Sequence, residues 1–598
     1  MRTLGFGLGI LLPFVVILAS CGNTGPSGFL PNADGGGDAT DDSTDPFKTD
    51  GSGGDGGACT TNTCSSDLHS VLDCNGNVLT TCPSDQGCGV GGVCVPACDS
   101  ARDNKSSIGC DYYSVDPDVI AEGAGGCFAA YIANTWTSPV TITVERNGQS
   151  LNVANFARIP SGNGQSLTYQ TLPGGQLPAG QVAILFLAYS GFVGCPNGIT
   201  AGYTSGPAQV MGTGLGSAFH IATSRPVVSY DIFPYGGGQS AATSATLLLP
   251  TTAWDTNYIA VNAYRKSVIA AAAQPSLDIV AAEDGTQVTI SPTAAIVGGN
   301  GVAATGKGVP KVYNLNKGQY LQLSQDAELS GSPIQSNKPV GLWGAASCLN
   351  IDVTDSACDS AHQQIPPVQA LGSEYVGVRY RNRIDNAPDE TPPWRMVGAV
   401  DGTTLTWDPS PPVGAPLGLN KGVVTEFKSA GPFTVRSQDD QHPFYMSAHM
   451  TGGGNFGGSG DPEFVNIIPP QEYLRSYVFF TDPTYSETNL VVVRSKGPSG
   501  FQDVTLDCAG TLTGWKPVGS GGKYEYTRID LVRHNFAPQG NCDNGRHEMK
   551  SNAPFGLTVW GWGTTESVPF GTTYVSYAYP AGASVKPVNT VVVLPTPN

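Results

Sequence analysis

The chain has 598 residues, of which 13% are charged and 78 are glycine, and its formal net charge is −18. That length exceeds one ordinary domain, and the acidic balance excludes nucleic acid and anionic lipid surfaces as partners. Gly, Thr, Val, Ser, Tyr and Pro dominate at the expense of helix formers, so the composition predicts an all-β, extracellular protein.

Arg2, the apolar run from Leu4 to Leu18 and the small residues Ala19-Ser20 have the layout of a secretory signal over residues 1–20. The run falls short of the roughly 20 residues a membrane-spanning helix needs, and Pro13 interrupts it. Leu18-Ala19-Ser20-Cys21 resembles a bacterial lipobox. The resemblance implies cleavage before Cys21, lipidation of its thiol and new amino group, and a membrane anchor. Gly22 stands where an aspartate would retain such a lipoprotein in the inner membrane, which points to the outer membrane and the cell surface. From Gly22 to Gly57 there are seven Asp and one Lys among Gly, Ser and Thr. Residues 21–57 therefore read as a self-repelling, flexible tether.

With Cys21 set aside, 14 of the 15 cysteines remain, an even number suited to an oxidising compartment. Cys59, Cys64, Cys74, Cys82, Cys88, Cys94, Cys98 and Cys110 crowd into a module over residues 58–110. They lack the paired Cys-x-x-Cys spacing of a zinc site, and a segment this short needs disulfides to hold it. Asp73-Cys74-Asn75-Gly76-Asn77 marks a tight turn between short strands. The other six are spread out, and proximity suggests Cys127 with Cys195, Cys348 with Cys358, and Cys508 with Cys542. Sequence leaves the rest of the connectivity open.

Residues 111–598 contain a repeat. A polar turn, a proline and a hydrophobic strand recur at Ser224-Arg225-Pro226-Val227, Asn337-Lys338-Pro339-Val340, Gln441-His442-Pro443-Phe444 and Asn552-Ala553-Pro554-Phe555. Proline suits the first residue of a strand. A second signature leads from Leu249-Pro250 to Tyr258, from Pro366-Pro367 to Tyr375, and from Pro469-Pro470 to Tyr477. A third is the hairpin turn Asp284-Gly285, repeated at Asp401-Gly402. These predict about four tandem β-sandwich-like units near 111–249, 250–364, 365–467 and 468–598, each with its own core. A side-by-side row is favoured, with a four-part ring as the alternative.

Cys358-Asp359-Ser360-Ala361-His362-Gln363-Gln364-Ile365-Pro366-Pro367, then Gly372-Ser373-Glu374-Tyr375, resembles the IgGFc-binding protein domain found in many bacterial lipoproteins. So do Arg225 to Pro234, Ala245 to Pro250 and Ser576 to Gly582. The likeness spans about 110–590 and departs in the spacer, since His362 does not directly follow Asp359. It implies a binding module, with immunoglobulin as the partner of the family's name, and reads Asp359 to His362 as a structural junction.

No Gly-x-Ser-x-Gly elbow, His-Glu-x-x-His helix or phosphate loop occurs. Asp359, Ser360 and His362, close together on one short loop, do not make a triad. His442 and His449 lie seven apart on an expected strand and face opposite sides. His534 and His547 flank Cys542 with Glu548 nearby, read as a disulfide-bordered surface loop. Asp439-Asp440, and Asp352 and Asp355 with Asp359, lack calcium-loop spacing and read as exposed acidic turns. Trp343, Trp407, Trp560 and Trp562 are expected in cores, and Trp394, after Pro392-Pro393, at the surface. No catalytic residue, metal or cofactor is expected. The reading is a non-enzymatic, surface-anchored lipoprotein that binds glycoprotein, glycan or another surface partner. A self-assembling envelope protein is the alternative, and a glycan hydrolase ranks behind it.

Overall fold

The computed structural model describes residues 62–596 apart from 75, 192–193, 238–241, 352–357 and 568–572. Cys21, Cys59, the signal and the tether lie outside the described residues. The fold is nearly all-β, as the composition predicts.

The second unit displays the plan. Its strands are Asp255–Ile259, Pro275–Ala281, Thr286–Ile290, Lys311–Leu315, Gln319–Ser324, Pro333–Leu349 and Asp359–Ile365. The long strand Pro333–Leu349 belongs to both sheets of the sandwich. Its first half pairs with Asp255–Ile259 and Thr286–Ile290, and its second half with Pro275–Ala281 and Asp359–Ile365. Phe219–Phe233 and Gly545–Trp562 do the same in the first and last units. The third unit divides the job between Phe433–Ser437 and Phe444–Met450.

The repeated prolines sit where the long strand changes sheet. Pro226, Pro339 and Pro554 lie inside their strands, not at the first residue as expected. Residues 337–339 have no register partner between the Ser336 and Val340 pairings, so the missing proline N–H breaks no ladder bond there. Only Pro443 precedes its strand.

Outward-facing strands alternate in burial. In Thr403–Asp408, Thr403, Leu405 and Trp407 turn inward while Thr404 and Thr406 face water. The last strand of each unit does not alternate. Ser244–Leu248, Asp359–Ile365, Glu463–Asn466 and Ser576–Pro580 are buried at every position. Each lies against the next in that order, and the fourth returns to the first. The units thus form a closed ring around four axial strands rather than the favoured row.

Ring closure brings the first and last units together. Tyr131 donates to Asp482 and Tyr230 to the Ala581 carbonyl at 2.6 Å. Their apolar residues form one cluster that includes Ile132, Tyr230, Phe479 and Tyr577. Val491, Val493 and Trp560 of the last unit likewise join the core of the third. The expectation of a separate core per unit gives way to cores that run through the seams. The strand Gly214–Ser217 also crosses over, leaving the first unit to pair with Gln319–Ser324 of the second.

After Pro580 the chain straps across the ring. Val585 N donates to Lys105 O at 3.0 Å, and Asn589 Nδ2 reaches Val368 O and Leu371 O. Asn257 exchanges bonds of 2.8 and 2.9 Å with the Val593 backbone. The cysteine-rich module carries the helix Ala97–Asn104 and docks on the first unit through Trp136, whose indole donates to Ser84 O at 2.8 Å.

Candidate functional site

The axial strands collect polar side chains where a core would ordinarily be apolar. Three layers stack along the axis. In the first, Ser360 N donates to Ala242 O, Thr243 Oγ1 to Ser576 O at 2.7 Å, and Ser576 Oγ to Asp461 O at 2.6 Å. In the second, Ser244 Oγ lies 3.2 Å from Glu463 Oε1, and Gln363 Nε2 donates to both Ala245 O (2.7 Å) and Ala578 O (2.9 Å). In the third, Gln364 N donates to Thr246 Oγ1 and Asn466 Nδ2 to Gln364 O, both at 2.8 Å. These bonds join strands of different units, so side chains do between units what a backbone ladder does within one.

Residues 359–365 form a strand, not the short loop expected. Alternation puts Asp359 and Gln363 on one face, with Ser360, His362 and Gln364 on the other. Ser360 Oγ donates to Ala242 O at 2.7 Å. His362 Nε2 lies 2.7 Å from Asp231 Oδ1, while Asp231 Oδ2 accepts from Ser114 Oγ at 2.6 Å. His362 and Asp231 are thus a buried cross-unit tie, and Asp359 faces away from both Ser360 and His362.

Burial drives the carboxyls of Asp359 and Glu463 well above the usual range, and neighbouring Asp461 and Glu463 push Asp359 further. At the far end of the axis, a mostly apolar pocket is lined by Leu249, Pro366, Tyr375, Ile468, Glu472 and Ala583. It has room for about two water molecules. Burial raises Glu472 there to about 8.

The remaining candidates are structural. Cys64–Cys88, Cys82–Cys94 and Cys98–Cys110 are joined in the module, and Cys74 is also disulfide-bonded. Cys127 joins Cys195, Cys348 joins Cys358, and Cys508 joins Cys542. Asp507, Cys508 and His547 bring potential metal-ligating atoms together. The Cys508 sulfur is consumed by its disulfide, and the His547 nitrogens lie 3.0 Å from Asp507 Oδ1 and 2.7 Å from Asp543 O. His534 pairs with Glu566, and Glu548 with Lys550. His442 sits in a turn 2.7 Å from Asp439, not on the expected strand. His449 is buried against Ala263 O, and burial, then Arg395, lowers its pKa to about 3. Asp440 accepts from Ser373 Oγ. Asp352 and Asp355 lie outside the described residues.

Trp394, expected at the surface, is fully buried, donates to Ser429 O at 3.1 Å and packs edge-on against Phe433. The prolines before it lead straight into the strand Pro393–Gly398, which lies in the sheet interior between two partners. Sequence reasoning passed over Glu463, Asp461 and Gln363. Gln363 and Glu463 are polar residues inside short strands lacking an exposed alternate position, and Asp461 lies just before the second of these, a signal visible only once burial is known.

No described helix is long and apolar enough to cross a membrane. The many disulfides fit an extracellular protein. A family model described as IgGFc binding protein matches residues 244–561, just over half of the chain. That span opens on the first axial strand and closes in the last long strand. No curated protein matches the chain.

Proposed function

The chain belongs to the IgGFc-binding protein family, and on that premise we propose a non-enzymatic binding lipoprotein, anchored through Cys21 to the outer membrane and displayed at the cell surface. The tether over residues 21–57 carries the ring clear of the lipid, and the ring engages a glycoprotein or glycan partner. The observation that carries this reading is the filled axis. Among the described residues, the axial carboxylates Asp359, Asp461 and Glu463 are at most 2% exposed. A sugar ring cannot reach them, whereas glycosidase carboxylates flank their substrate. What remains available to a partner is the outer surface of a rigid, cross-tied ring.

The test is protease shaving of intact cells, with capture of ligands on a soluble chain beginning after Gly57. The capture panel is purified immunoglobulin, mucin-type glycoprotein and envelope polysaccharide. Release by shaving and saturable capture of a panel member support the reading, and a Cys21→Ser variant should shift to the soluble fraction. Protection from protease, or capture of none, removes it. A second reading, self-assembly in the envelope, is favoured by the edge strand Val78–Thr81, where Val78 and Leu79 are 60% and 53% exposed. Concentration-dependent oligomers lost on Leu79→Lys would support it.

A further inference from the structure

The segment from Val588 to Thr596 runs extended across the second and third units, and none of these described residues belongs to a strand. Side chains of the ring hold its backbone instead. Asn257 Oδ1 accepts from Val593 N at 2.8 Å while Asn257 Nδ2 donates to Val593 O at 2.9 Å, and Ser291 Oγ donates to Thr596 O at 3.1 Å. Gln441 Nε2 donates to Thr590 Oγ1 at 3.2 Å. Asn257 is 3% exposed, and its Nδ2 also reaches Ile334 O and Gln335 Oε1, which fix the amide in place. Val593 is buried in the apolar cluster that holds Tyr258, Val397 and Tyr445, whereas Val592 and Leu594 on either side of it face water.

An amide that donates to and accepts from the backbone of one residue reads an extended chain whatever its sequence, and the slot for Val593 adds a preference for a small β-branched side chain. The groove is thus built as a peptide site, and its resident is the chain's own segment. It has no means of telling that segment from the same segment of another copy. The covalent connection sets only an effective concentration, on the order of millimolar for a short flexible linker. Lys586 and Pro587, the two residues before the segment, are exposed. No residue from Val588 to Thr596 is charged, so the segment escapes the mutual repulsion of copies that each carry −18. We infer that the groove at Asn257 is an exchangeable peptide site, and that crowded copies swap residues 588–596, each filling the groove of the other. The swap is reciprocal and makes a two-fold pair. It uses no part of the edge strand Val78–Thr81 and is independent of which ligand the outer surface binds.

The experiment uses the exported full chain. Val593→Asp puts a carboxylate into the apolar slot, which should eject the segment and leave the groove empty. A fluorescent peptide spanning residues 588–598 should then bind saturably, about tenfold or more tighter than to wild type, whose own segment competes. Adding Asn257→Ala to that variant should abolish the binding, and a peptide carrying Val593→Asp should not bind. In concentrated wild-type protein, two differently tagged copies should form mixed dimers. These should be absent from Val593→Asp and unchanged in Leu79→Lys. If Val593→Asp fails to fold, a protease site inserted between Lys586 and Pro587 replaces it, and after cutting the labelled peptide should displace the resident segment. A folded variant or a cut chain that takes up no peptide overturns the inference. So does peptide binding that survives Asn257→Ala. Wild-type copies that form no mixed dimers, dimers that persist in Val593→Asp, or dimers lost in Leu79→Lys overturn it as well.

Discussion

The Tyr258 hydroxyl donates to the Val340 carbonyl at 2.7 Å and accepts from Asp255 N at 3.1 Å. Val340 is the residue directly after Pro339. The other units repeat the bond: Tyr112 to Val227, Tyr375 to Phe444, and Tyr477 to Phe555, each acceptor directly following the repeated proline. The two sequence signatures are therefore halves of one device. The tyrosine of the first strand pins the long strand at the place where it leaves one sheet for the other.

Tyr258→Phe keeps the ring of the side chain and removes the tie. It leaves a buried carbonyl and an amide unpaired, and should cost about 1–3 kcal/mol. Chemical denaturation measures the loss, and Tyr375→Phe should match it within a factor of two. A cost below the error of measurement in both would show that the bond merely accompanies the bend.

Stability should fall as pH rises from about 4 through about 8. Burial raises Asp118 to about 6 and Glu472 to about 8, above ordinary unfolded values of about 4. Between those limits the folded state holds more protons than the unfolded chain. The stabilisation is complete below about pH 4 and is lost as pH passes through 6 and then 8. Ser324 and the Gly212 amide bond to Asp118, and Lys586 lies near Glu472, which limits both rises. The melting temperature should be lower at pH 9 than at pH 5.5, and Glu472→Gln should flatten the upper part of that slope.

Ending the chain after Gly582 removes the strap. Asn257 then loses its partner at Val593, and the Val368 and Leu371 carbonyls lose Asn589. Hydrogen exchange should quicken most in Asp255–Ile259 and around residues 366–371, with the strand Glu487–Ser495 unaffected.

Among the disulfides, Cys127–Cys195 closes a separation of 68 residues and Cys348–Cys358 one of 10. Chain entropy predicts a cost of about 4 kcal/mol for replacing the first pair by alanine and about 3 kcal/mol for the second. Denaturation midpoints of the two double variants should rank in that order.

The sandwich plan was legible because its markers are local. Proline in a polar turn and a tyrosine seven or eight residues after a proline each act within one unit. The Asp-Gly turns do as well, but they link strands that do not pair with each other, not the hairpins expected. The ring was not legible, because its closure depends on pairs such as Tyr230 with Ala581, 351 residues apart. A periodic sequence serves a row and a ring equally well. The axial acids were missed for a related reason. Asp359 and Glu463 look like surface residues until three other units bury them, and Trp394 looks like a turn residue until its strand is found between two partners.

Where the ring begins and ends, Ser107 N donates to Ala583 O at 2.8 Å. Just after Ser107, Cys110 in the strand Ile108–Ser114 is bonded to Cys98 in the module helix. That strand lies antiparallel along the long strand Phe219–Phe233. On the proposed reading of a chain anchored at Cys21 and bound to a fixed partner, a pull on the anchor would act on the chain ahead of Thr63. The tension would enter the ring through a covalent bridge and load that strand pair in shear, along its whole row of hydrogen bonds at once. A chain anchored as proposed is thereby gripped where its first and last units meet.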